Sequence, residues 1–215
     1  MSRIVMLVVF LLAVAGRVHG QEVSVEAKEV AIQVLRNQSW VDASLVCPAT
    51  VMPKPEILQG VTNNKCHAGK RALCLQKCAA GNASACYWLA NELNDDQGGH
   101  QAAEALFQRS CTLGIMSGCT NRAAGMLALG TKDAATEKCA AQTFSTACAS
   151  DDPWGCTMYG SLLIEGKGVA KNEELALEVL AKSCKYGPGD PACTGANDLR
   201  ASILKGRRGR DATPR

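Results

Sequence analysis

Four cysteine pairs recur along this chain at nearly constant spacing: "CAAGNASAC" (78–86), "CTLGIMSGC" (111–119), "CASDDPWGC" (148–156) and "CKYGPGDPAC" (184–193). Their first cysteines step by 33, 37 and 36 residues and their second cysteines by 33, 37 and 37. A spacing that recurs in this way is architecture before it is chemistry. A period of this length, in a chain poor in aromatic and β-branched residues and rich in Ala and Leu, is the size of one helix–turn–helix unit of an α-solenoid.

The third unit, "DDPWGCTMYGSLLIEGKGVAKNEELALEVLAKSCKYG", reads most clearly. Asp152 suits the N-cap and Pro153 the first position of a helix that carries Trp154, Met158, Leu162 and Leu163 at helical spacing. "EGKG" stops it, because Gly166 and Gly168 reach backbone angles closed to other residues. Asn172 caps a second helix, Glu173 and Glu174 suit its positive end, and Leu175, Ala176, Val179 and Leu180 form its apolar stripe. Gly160, Ala176 and Ala181 let the two helices approach closely. "GHQAAEALFQRSC" and "DAATEKCAAQTFSTAC" supply the corresponding second helices of the earlier units.

Each pair therefore links the end of one helix to the start of the next across a tight corner, where the Cα atoms come close enough for a disulfide. The expected bonds are Cys78–Cys86, Cys111–Cys119, Cys148–Cys156 and Cys184–Cys193. Cys47, Cys66, Cys74 and Cys139 remain. A continuous helix from 64 to 78 would hold Cys66 and Cys74 roughly 12 Å apart, beyond bridging distance. The expectation is that Cys47 pairs with Cys66 or Cys74, and that Cys139 is a buried, unpaired small hydrophobe. A metal site of Cys66, His67, Cys74 and Cys78 competes with the staple for Cys78, so no metal and no cofactor is expected.

The chain opens "MSRIVMLVVFLLAVAGRVHG", with Arg3 ahead of an apolar stretch from Ile4 to Ala15 and compact residues at Val18 and Gly20. That pattern reads as a signal peptide over residues 1–20, with a mature start near Gln21. No later run approaches membrane length. Twelve cysteines in an exported chain point to an oxidising compartment, secreted or periplasmic, and to a disulfide framework. Without Arg3 and Arg17 the chain carries 21 basic against 20 acidic residues, a balance that gives no general attraction to nucleic acid.

Residues 21–63 read as an N-terminal cap: a helix in "VSVEAKEVAIQVL" with Val23, Val25, Ala27, Val30, Ile32 and Leu35 as a partial stripe, then the proline-containing loop "CPATVMPKPE". Residues 64–204 form the repeat array. Residues 205–215 read as a basic flexible tail.

The stretch "GKGVAKNEELALEVLAKSC" (166–184) resembles the Sel1-like repeat, which runs from a G-x-G-V turn through an alanine to a final A-C. With the added cysteine staple, the chain resembles the Helicobacter cysteine-rich protein family of secreted Sel1-like repeat proteins. The resemblance implies an all-α, right-handed solenoid of Sel1/TPR-like helix–turn–helix repeats. "LNDDQGGH" (93–100) and "LALGTKD" (127–133) lack the G-x-G-V turn, so those corners depart from the pattern.

Two-helix solenoids present a concave face built from the first helices of successive units. Here that face would include Tyr87, Trp88, Asn91, Asn121, Arg122, Tyr159 and Glu165 and would take a protein or peptide ligand on a monomeric scaffold. Core packing is the competing reading for Trp88 and Trp154, and a solvated face the one for Asn121 and Arg122. The family resemblance also implies β-lactam binding and weak hydrolysis, but the residues lend that little. The one S-x-x-K motif is "SILK", with Ser202 and Lys205, and it lacks the S-D-N and K-T-G companions of serine β-lactamases. Thiol–disulfide exchange is disfavoured too, since no pair has C-x-x-C spacing.

Overall fold

The computed structural model describes residues 25–62, 66, 69–95, 98–131 and 133–211. The signal-peptide reading, Gln21, Val23 and His67 lie outside the described residues, among which there are ten α-helices and no strand. Two helices come first, α1 (Val25–Arg36) and α2 (Gln38–Ser44), followed by 3-10 turns at Pro48–Thr50 and Pro55–Ile57. Then come α3 (Arg71–Ala79), α4 (Ala83–Asp95), α5 (His100–Thr112), α6 (Met116–Leu129), α7 (Ala134–Ala149), α8 (Pro153–Glu165), α9 (Glu173–Lys182) and α10 (Pro191–Asp211). From α3 to α10 each helix packs on the next in the chain, and α8 also touches α6 and α10.

The corners follow from local chemistry. Cys78–Cys86, Cys111–Cys119, Cys148–Cys156 and Cys184–Cys193 are bonded with Cα atoms 4.4–4.7 Å apart, at the α3/α4, α5/α6, α7/α8 and α9/α10 corners. Small residues make that approach possible. A Cβ on Gly118 would sit 2.9 Å from the backbone nitrogen of Cys111, and one on Gly155 would sit 2.7 Å from the Ala147 Cβ. At the α8/α9 corner Gly166 takes φ 75° and ends α8, while Asn172 Oδ1 accepts the N–H groups of Glu174 and Leu175 to start α9. Asp152 caps α8 through the Gly155 N–H and also accepts the hydroxyls of Ser117 and Thr120, which fastens α8 to α6.

The core is built from small and medium side chains. Leu89, Leu93, Leu106 and Phe144 are fully buried among alanines and the staple cysteines. Trp154, expected on an apolar stripe, is 45% exposed at the start of α8 while Leu162 and Leu163 turn inward. In α1 the buried stripe is Ala27, Val30, Ala31 and Val34, and Val25 and Ile32 face solvent. That set has the i, i+3, i+4, i+7 spacing of a helix face, which the expected stripe does not.

The remaining cysteines correct the sequence expectation. Cys66 is bonded to Cys74, and Cys47 to Cys139, each with Cα atoms 5.8 Å apart. The continuous helix across 64–78 that would have forbidden the first bond does not form. Gly69 takes φ 79°, and α3 begins only at Arg71, so Cys66 lies outside the helix. Lys70 offers no side-chain cap there. The Glu26 carboxylate of α1 instead accepts the backbone N–H groups of Gly69 and Arg71.

Residues 25–62, expected to cover the array's end, pack on α3 and then continue along it. The helix α1 lies on α3 and α5, α2 lies on α5, and the turn at 48–50 lies on α7 and α6. Met52 and Leu58 cover the staple region around Cys111, Cys119 and Ala147. The Gln59 N–H donates to the Gly114 carbonyl, and the Thr62 N–H to the Ser84 hydroxyl. This segment is a strap bolted to the array by Cys47–Cys139. At the other end, α10 runs on to Asp211, through positions expected in the flexible tail.

Candidate binding face

The expected ligand-contact residues separate into distinct places. Tyr87 on α4 is partly buried, which pushes its phenol above the usual range, and its backbone carbonyl accepts the Asn91 side-chain amide at 2.8 Å. Its ring lies 6.2 Å from that of Phe107 on α5, tilted by 60°. Asn121 lines a cleft of about 360 Å³ between α4, α5 and α6, with Asn94, His100, Glu104, Phe107 and Gly125 among its other walls. Asn121 lines this cleft, and Tyr87 backs its Phe107 wall from α4, the helix that also carries Asn91.

The others do not join them. Trp88 is half-buried, and its indole N–H donates to the Thr62 carbonyl, so the strap occupies its polar edge. Tyr159 lines a separate cleft of about 250 Å³ with Gln142, Thr146 and Val169. Glu165 is exposed at the end of α8 and pairs with Lys167.

Arg122, expected on an open face, is buried. Its Nη1 donates to Glu104 Oε2 at 2.7 Å, and its Nε and Nη2 donate to the Ser44 carbonyl at 3.1 and 2.6 Å. It thereby joins α6, α5 and the end of α2. The physical reason is the strap: α2 ends over α6, and the orphan carbonyl of its last residue needs a donor. Burial pushes the Glu104 carboxyl up from 4.5 to about 7, against the lowering effect of Arg122, and the same burial lowers Arg122.

Glu104, His100, Phe107 and Gly125 are the members that sequence reasoning missed. Gly125 makes the arrangement possible, since a Cβ there would lie 2.0 and 2.2 Å from the two Glu104 carboxylate oxygens. Glu104 and Gly125 also line a second cleft, of about 440 Å³, under Val41 of α2 and Leu45 just past its end. A glycine in mid-helix costs about 0.5–1 kcal/mol relative to alanine, and that cost is the one sequence signal of the site.

The Ser202 hydroxyl donates to the Leu199 carbonyl of its own helix at 2.7 Å, and both Ser202 and Lys205 are exposed. All twelve cysteines are paired, including Cys66, Cys74 and Cys78 of the metal alternative. Among the described residues no group of three or more His, Cys, Asp or Glu side chains could hold a metal ion. No described helix is long and apolar enough to cross a membrane. Comparison of the chain with known protein families, curated proteins and solved structures finds no match.

Proposed function

We propose that the chain is an exported, right-handed α-solenoid of Sel1-like repeats, resembling the cysteine-rich secreted family, that binds a protein or peptide on the face formed by α4, α6 and α8. The observation that carries this reading is the Tyr87–Asn91–Asn121 cluster beside an open cleft. It is a polar, hydrogen-bonding surface with an aromatic backing, supported by two helices held rigidly by their staples. Such pre-organisation lowers the ordering cost of binding an extended ligand. Six disulfides fit an oxidising compartment outside the cytoplasm.

The test uses photo-crosslinking amino acids placed one at a time at Asn91 and Asn121, with Glu178 on α9 as the control position. In native extracellular or periplasmic fluid, a discrete adduct is expected from the first two positions and not from the third. Equal labelling from all three positions, or none from any, would overturn the assignment of the face.

A further inference from the structure

The α4/α5/α6 cleft is closed on one side by an acid that its neighbours do not fully satisfy. Glu104 Oε2 takes the Arg122 bond, while Oε1 has no hydrogen-bond partner among the described residues. Arg122 does not line this cleft, and its Nε and Nη2 are both occupied by Ser44. Glu104 is the one carboxylate among the described residues that do line it. The acid is held partly out of water, and that burial raises its carboxyl to about 7 although Arg122 acts to lower it.

Around it stand the groups that recognise an ammonium. Phe107 supplies an aromatic wall fixed by its contact with Tyr87, and cations are attracted to such ring faces. Asn121 lines the same cleft and brings a side-chain amide oxygen able to accept. His100 Nδ1 faces Asn94 Oδ1 at 3.1 Å, which fixes the imidazole at the rim of the cleft. Gly125 lets the carboxylate lie against α6, and Ala124, Ala128 and Leu129 give the cleft an apolar side for an aliphatic chain. The volume, about 360 Å³, lies at the lower end of ligand-sized pockets, roughly 300–1,000 Å³.

The geometry points to a binding site for a primary alkylammonium group, with Glu104 as the ion-pair acceptor, Phe107 as the aromatic wall and Asn121 as a further acceptor. The ammonium belongs either to a lysine side chain of a peptide or to a free alkylamine. The site does not depend on the partner reading, because a free amine would fill it with the peptide face still untested.

Calorimetric titration of the oxidised protein with Nα-acetyl-lysine-N-methylamide, with n-butylammonium and with the uncharged Nα-acetyl-norleucine-N-methylamide tests the site. The two cations are expected to bind, and the norleucine amide to bind at least about tenfold more weakly, the loss of a charge-assisted bond. Glu104→Gln, which keeps the shape and the Arg122 contact, should weaken both cations about tenfold or more, and Phe107→Leu about fivefold. Tighter binding of the lysine amide than of butylammonium assigns the site to a peptide side chain; the reverse order assigns it to a free amine. If neither variant folds, amide shifts of the native protein on adding butylammonium should centre on Gly125 and Asn121. No binding of either cation, equal affinity for the norleucine amide, unchanged affinity in a folded Glu104→Gln, or shifts confined elsewhere would each overturn the proposal.

Discussion

Gln108 lies one helical turn beyond Glu104 on α5, 1% exposed, and neither its amide nitrogen nor its amide oxygen has a hydrogen-bond partner among the described residues. A buried amide left unpaired costs about 1–3 kcal/mol, whereas an apolar group of the same shape costs nothing of that kind. Gln108→Met is therefore expected to raise stability by about 1 kcal/mol, read as a higher urea midpoint at unchanged slope. Glu104 makes the opposite kind of demand. Its carboxyl is raised from 4.5 to about 7 in the fold, so between those values the folded chain holds a proton that the unfolded chain has released. Its contribution is fully present below pH 4.5 and is lost as pH rises through 7. Stability should fall between pH 5 and pH 8 by up to about 3 kcal/mol, and Glu104→Gln should flatten that fall. A wild-type profile that is level or rising across this window would contradict the assignment.

The staple corners and the strap are stabilised by loops of very different length. Closing a loop of eight or nine residues constrains the unfolded chain by roughly 2.5 kcal/mol on the loop-entropy model, so Cys111→Ser with Cys119→Ser should cost roughly 2–3 kcal/mol and leave the helicity largely intact. Cys47–Cys139 closes 92 residues, and the same relation gives it about 4.6 kcal/mol. Cys47→Ser with Cys139→Ala should therefore destabilise the protein more in denaturant titrations than loss of any one corner staple. The corners were legible because everything that specifies them (cap, glycine, cysteine spacing) lies within about ten residues, well inside one helical unit. The pairing of Cys47 was not, since a contact across 92 positions leaves no local signal. Cys66 was misread for a smaller reason, a left-handed Gly69 that breaks the expected helix before Arg71. Of the candidate site, Tyr87, Asn91 and Asn121 could be placed from helix periodicity. Glu104 and Arg122 could not, because their burial is imposed by α2 arriving from elsewhere in the sequence.

For the molecule as a whole, the serine hydrolase alternative requires Ser202 to act as a nucleophile, yet its hydroxyl is committed to the carbonyl of its own helix. Purified, oxidised protein is expected to turn over a chromogenic β-lactam negligibly, with no change in Ser202→Ala. Turnover that vanishes in that variant would make this an enzyme. The connectivity carries a different consequence, one about time. Were cysteines joined in the order in which they leave an export channel, Cys47 would meet Cys66, Cys74 would meet Cys78, Cys86 would meet Cys111 and Cys119 would meet Cys139. Each of these bonds is absent from the fold, where Cys47 waits for Cys139 and every pair between them is displaced by one. Only beyond Cys139 do sequential and native pairing coincide, at Cys148–Cys156 and Cys184–Cys193. A vectorial oxidant acting alone would scramble the first half of the protein and leave the second half correct. On the export reading proposed above, a strain lacking a disulfide isomerase should accumulate chains whose non-reducing peptide maps are native after residue 139 and shifted by one cysteine before it.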